Sequence, residues 1–290
     1  MILRLERQRL VDFVSAEEGR LLPELRALRR KSRALNDFVL VAEGLFSILR
    51  TSLEHRIALS VDRVGQYNPD LASERLNVLA EGIQAIFSFF GSVAAGQATV
   101  PRELYELVSW FFAQCKGVTA PPQYVLSPGN AFETEELHQF LDTLFFRPPD
   151  RYLFPELKKL SREPLFFIFL PASSASAEGA LDWPIIFHEC VHAVEEKSNV
   201  VGKLFPGLPR RWRELEELAN HYDVAKHASQ TIELICDIVA VRVAGPAYLW
   251  RFLRRSFSLA DISHYSVTHP NTPTRLRYLI KGGVGQLVEK

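Results

Sequence analysis

DWPIIFHECVH, residues 182–192, is the stretch on which the fold and chemistry of this chain turn. Asp182-Trp183-Pro184 reads as a helix start, with Asp182 as the N-cap. The helix that follows carries His188 and His192 four residues apart, with Glu189 next to the first of them. Residues four apart on an α-helix lie about 40° apart around its axis, so both imidazoles can reach one metal ion. Glu189 projects about 100° away from His188, beside such an ion, where it can accept a proton from a bound water. Zinc lowers the pKa of that water towards ~7 and makes a nucleophile available at neutral pH. The H-E-x-x-H spacing therefore predicts a Zn2+ site with His188 and His192 as ligands and Glu189 as general base. The competing reading is a packed helix whose histidines happen to fall four apart.

Upstream, Pro164-Leu-Phe-Phe-Ile-Phe-Leu-Pro171 is apolar, strand-length and bracketed by prolines, and the small-residue stretch PASSASAEGA after it reads as a loop. A strand leading into a metal helix suits a site where an extended substrate pairs with a sheet edge. A short strand over Gln123–Leu126 and a helix over Glu133–Phe146 are expected before it. The first 120 residues read as almost wholly helical. Apolar residues recur at three- and four-residue spacing from Leu21 through Leu25, Leu28, Leu35, Phe38, Val39, Ala42, Leu45 and Phe46 to Leu49, which predicts a helix over about 21–59. Further helices are expected from Asn68-Pro69 to Ala95, closed by Gly96, and from Pro101 to Lys116. The fold class is thus mainly α (α+β), with a helical bundle over residues 1–120 and a metal-binding domain with a small sheet over residues 121–290.

A catalytic zinc needs a third protein ligand and an open position. The extended form H-E-x-x-H-x-x-G-x-x-H fails, because Glu195 stands at its glycine and Ser198 at its last histidine. Glu214, Glu216 and Glu217, in a helix expected over Arg211–Ala228, read as an exposed face. The better donor is Glu233, in an apolar helix that starts near Thr231 and stops at Gly245-Pro246. Glu233 and Asp237 lie one turn apart and interrupt an otherwise buried pattern, where carboxylates are costly unless paired or metal-bound. Glu233 is assigned as the third ligand. Asp237 is assigned as the acceptor that orients a ligand histidine through its other ring nitrogen. An ion pair with Arg242, or with an arginine from elsewhere, is the alternative for these two acids. Cys236, three residues after Glu233, reads mainly as packing, although it is near enough for an inhibitory or redox role.

Lysine plus arginine equals aspartate plus glutamate at 34 each, which argues against nucleic-acid binding by bulk charge. The run Arg26, Arg29, Arg30, Lys31, Arg33 reads as a solvated helix face. No window holds the roughly 18 uncharged apolar residues of a membrane span, and MILRLERQRL lacks the apolar run of a signal peptide. Three scattered cysteines make no disulfide framework, and a cytoplasmic setting is expected.

HECVH (188–192), ELICD (233–237) and THPNTPTR (268–275) together resemble the gluzincin metallopeptidases, most closely the CAAX-prenyl endopeptidase and heat-shock membrane protease family. The resemblance covers the last 110 residues or so. It implies a zincin-like domain, a zinc-dependent peptidase acting on a peptide or protein, His188, His192 and Glu233 as ligands, and Glu189 as base. It also implies that His269 and Arg275 line the active site, with His269 stabilising the oxyanion of a tetrahedral intermediate. The amino-terminal helices would then be an interaction or regulatory part with a protein partner. The second reading is a binding module whose zinc is structural or inactive.

Overall fold

The computed structural model describes residues 2–31, 33–57, 68–115, 120–144, 164–175, 177–200, 222–258 and 270–280, together with Val64 and Lys203. It is mainly α with one small sheet. The apolar ladder between Leu21 and Leu49 is carried by two helices instead of one, α1 (Ile2–Leu28) and α2 (Arg33–Thr51), which a π-turn over Ser52–Ile57 extends. Leu28 and Leu35 are seven residues apart, two helical turns, so the pattern keeps its phase across the break and hides it. Every residue of that ladder is buried. Arg26 Nε pairs with Glu43 Oε1 at 2.7 Å and Arg29 pairs with the other oxygen of the same carboxylate, so part of the arginine run ties α1 to α2.

Helix α3 (Pro69–Gly96) begins as expected, with the Asn68 side chain accepting from Leu71 N at 3.1 Å and Pro69 in the first turn. By length and composition α3 is apolar enough to cross a membrane, a test that the core helix of a soluble protein also passes. Its buried face includes Leu76, Leu79, Ile83, Ile86, Phe87 and Phe90. Phe46 stacks on Phe87 at 4.6 Å, Phe38 on Phe90 at 5.2 Å, and Phe89 on Phe140 at 4.2 Å with its edge to Phe167. Such ring pairs add about 0.5–1.5 kcal/mol each beyond the area they bury.

Strands β1 (Gln123–Gly129), β2 (Glu133–Glu136) and β3 (Leu165–Pro171) form one sheet in the order β1–β3–β2. The apolar run between prolines is its central strand. The helix expected over Glu133–Phe146 is instead β2 followed by α5 (Leu137–Leu144). The Glu136 carboxylate accepts from His138 N at 3.0 Å and Gln139 N at 3.2 Å, which caps α5 and fixes where it starts.

The chain divides into two compact units. One comprises Met1–Ala98, Gln123–Ser127 and Glu135–Phe167, the other Thr99–Pro122, Pro128–Thr134 and Ile168–Lys290. Helix α4 (Arg102–Gln114), expected in the amino-terminal bundle, thus belongs to the second unit. There Phe111 packs against Phe187 at 5.5 Å.

In the second unit a 3-10 segment, Ala177–Ile185, leads into α6 (Ile186–Ser198). Asp182 is not the N-cap; Ile185 holds that place without a side-chain bond. Asp182 instead accepts from Ser174 Oγ at 2.7 Å and pairs with Arg251 Nε at 2.6 Å. Trp183 Nε1 donates to Ser174 O at 3.0 Å, so the loop ahead of α6 is clamped on both sides. Gly179 runs so close to this loop that a Cβ there would stand 2.2 Å from Ser173 O and 2.5 Å from Ser174 Cα. Gly179→Ala is expected to destabilise the fold by about 1–3 kcal/mol, measurable as a lowered denaturant midpoint.

Helix α7 (Tyr222–Ala244) starts well before Thr231. Residues 204–221, and with them most of the helix expected over 211–228, lie outside the described residues. Gly245, at φ 62°, ends α7, but Pro246 then opens α8 (Pro246–Ser258) at once. Helix α9 (Thr272–Tyr278) is capped by the Asn271 side chain on Thr274 N at 2.9 Å.

Candidate metal centre

Helices α6 and α7 pack against each other and bring their polar residues into one buried place. His188 Nε2 and His192 Nε2 face each other at 3.1 Å. Glu233 spans both, with Oε2 at 3.2 Å from His188 Nε2 and Oε1 at 3.3 Å from His192 Nε2. Cys236 joins them, its sulfur and the two imidazole donors all lying within 4.8 Å of one another. His188 and Cys236 are buried and His192 is half-buried. His188, His192 and Cys236 therefore form a cluster that could hold a metal ion.

The donor geometry fits such an ion. Bonds of about 2.0–2.1 Å from a tetrahedral zinc to nitrogen or oxygen imply ligand-to-ligand edges of roughly 3.3 Å. The Nε2···Nε2 separation of 3.1 Å, and the 3.2 and 3.3 Å contacts that each imidazole makes to a different Glu233 oxygen, are of the length of such edges. Two imidazole nitrogens and a carboxylate converging on one point also require positive charge between them. Burial by itself lowers the pKa of His188, but hydrogen bonds to Asp237 and Glu233 and their charges outweigh it and raise it to about 10. Burial likewise opposes ionisation of Glu233, yet the two histidines hold its carboxyl well below the usual range.

Behind His188 stands a second layer. Asp237, fully buried, places Oδ1 at 3.0 Å from His188 Nδ1. Its oxygens also accept from Arg275 Nε and from the second guanidinium nitrogen, both at 2.6 Å, in a bidentate pair. Tyr248 Oη donates to Asp237 Oδ1 at 2.6 Å and lies 3.3 Å from His188 Nδ1. Burial alone would raise the Asp237 pKa; Arg275 and His188 overcome that and keep it ionised to well below the usual range. The Arg275 guanidinium in turn lies over the Phe252 ring at 4.9 Å from its centroid. Asp237 is thus in a buried ion pair, with Arg275 rather than Arg242 as the partner described, and touches the candidate ligand as well.

Glu189 is buried on α6. Thr134, on β2, points its hydroxyl at both the Glu189 backbone oxygen (3.0 Å) and Oε2 (3.2 Å), and donates its one proton to either. The structure so brings together His188, Glu189, His192, Glu233, Asp237 and Arg275. His269, within 259–269, lies outside the described residues.

Two contributors escape a reading of the sequence, and a third is read there only in part. Cys236 is a candidate donor as well as core packing. Tyr248 had a signal in Pro246, which marks a helix start as readily as a stop and places the tyrosine in the first turn of α8. Thr134 had none, since Glu133-Thr-Glu-Glu136 shows no apolar alternation.

No protein-family model, no curated protein and no solved structure matches the chain. The site's own chemistry is therefore what bears on function.

Proposed function

We propose that the chain is a zinc-dependent peptidase of gluzincin type, in which His188, His192 and Glu233 hold the ion and Glu189 is the general base. The observation that supports this reading most is the meeting of two imidazoles from one helix and a carboxylate from another at 3.1–3.3 Å, on the helix that carries Glu189. A bound zinc supplies an acidified water and a polarised scissile carbonyl. The residues supply the rest. Glu189 accepts a proton and passes it to the leaving amine. Thr134 holds the Glu189 carboxylate in place from β2. Asp237 accepts from His188 Nδ1–H and so fixes the tautomer that leaves Nε2 free to bind the ion. Arg275 and Tyr248 keep Asp237 ionised and oriented. His269 is carried as a candidate for the oxyanion.

A structural metal in a binding module is the second reading, and the nearness of Cys236 favours it, because closed sites usually have four protein ligands. The site has a direct test. The purified chain is expected to hold one equivalent of zinc and to hydrolyse an unfolded protein such as casein, with loss of that activity on chelation and its return on adding zinc. Glu233→Ala should strip the metal under the same dialysis. Metal content that Glu233→Ala leaves unchanged would show that the third ligand is another residue.

A further inference from the structure

We infer that Cys236 is a fourth protein ligand of the same ion, so that the centre rests closed, with no position left for water or substrate. The inference depends on the metal reading of the site and adds to it how that site is controlled.

Its sulfur is already within 4.8 Å of the donor atoms of both His188 and His192. On α7, Cys236 lies about 60° to one side of Glu233 and Asp237 about 40° to the other. One helix face so presents a thiol, a ligand carboxylate and an orienting carboxylate in order around its axis. Asp237, on its flank, holds Nδ1 of His188 at 3.0 Å, and Cys236, on the opposite flank, is left near both imidazoles. With zinc bonds of about 2.0–2.1 Å to nitrogen and 2.3 Å to sulfur, a tetrahedral N···S edge is roughly 3.6 Å. The sulfur therefore has to close in by about 1.2 Å at most, a distance that a change in one side-chain torsion covers.

Charge supports the same set. Two neutral imidazoles, one carboxylate and one thiolate neutralise a divalent ion, whereas an uncompensated charge in a buried place carries a steep desolvation penalty. The thiol gives its proton to solvent when the ion binds, as thiolate is the ligand form. Hydrolysis then requires Cys236 to leave the ion, take a proton back and yield its place to water. Glu189 is not displaced by any of this, so a site that rests closed can still carry a general base.

X-ray absorption on the full-length protein loaded with zinc tests the assignment directly. Wild type should show one sulfur at about 2.3 Å with nitrogen and oxygen completing the shell, and Cys236→Ser should lose the sulfur scatterer while still binding zinc. Zinc bound by wild type with nitrogen and oxygen alone would overturn the fourth ligand and leave the metal centre standing. No zinc bound by wild type would remove the centre itself, and the inference with it. A sulfur shell that persists in Cys236→Ser would also overturn the assignment, since another thiol would then be the ligand. The wild-type spectrum decides the matter even if the variant does not fold.

Discussion

Glu189→Gln is expected to lower turnover of a peptide substrate by about 10²- to 10⁴-fold, the usual worth of a positioned general base, with zinc content unchanged. The substitution keeps the size of the side chain and its Oε acceptor. Thr134 Oγ1, 3.2 Å from Oε2 and 3.0 Å from the backbone oxygen, retains both of its acceptors. What disappears is the capacity to take a proton. None of the candidate donors is altered, because His188, His192, Glu233 and Cys236 all lie on other positions of α6 and α7. Turnover and zinc content measured on the same preparation check the result. An active variant would remove Glu189 from the chemistry, and a variant that loses zinc would show that its role is to hold the fold.

The second large effect is on stability. Asp237→Ala should cost about 3–5 kcal/mol, the range for removing one partner of a buried ion pair. The cost is high because one deletion strands three groups: the Arg275 guanidinium, bonded at two points at 2.6 Å, the Tyr248 hydroxyl at 2.6 Å, and His188 Nδ1 at 3.0 Å. Loss of the orienting acceptor should also weaken zinc binding by roughly 10- to 100-fold. The acid limb of stability reports on the same residue. The folded pKa of Asp237 is depressed, so its contribution is fully present above the unfolded value of about 3.9 and is lost as pH falls below it. Wild-type unfolding free energy should therefore drop on acidification below about pH 5, and Asp237→Ala should drop less steeply. Equal slopes in the two proteins would mean that Asp237 is not ionised where it lies.

What could be read ahead of the structure follows the range of the forces involved. The pair His188 and His192 is a local matter of helix pitch, and so is the pair Glu233 and Asp237, whose carboxylates stand out because the residues around them are apolar. Both pairs converge as their spacing suggests. The buried ladder from Leu21 to Leu49 was equally legible, but the turn at Arg29–Lys31 was not, since a seven-residue step from Leu28 to Leu35 leaves no trace in a periodic pattern. Strand β2 was hidden for a different reason. Its pairing with β3 is a long-range contact, and four polar residues offer nothing local to announce it. Cys236 is the mixed case: burial, the common fate of a cysteine, was foreseeable, whereas the approach of its sulfur to two imidazoles depends on how α6 and α7 meet. Placing α4 with the second unit likewise depends on packing that no helix pattern records.

The one-residue joint at Gly245 bears on the order in which the centre assembles. It leaves Asp237 and Tyr248 only 11 residues apart along the chain, against 38 for Asp237 and Arg275 and 60 for Tyr248 and His188. Loop closure loses entropy with the logarithm of length, roughly 0.6 kcal/mol for each doubling. During folding the acid and the phenol can therefore meet first, giving the nascent pair of helices α7 and α8 an acceptor that waits for the arginine and the histidine.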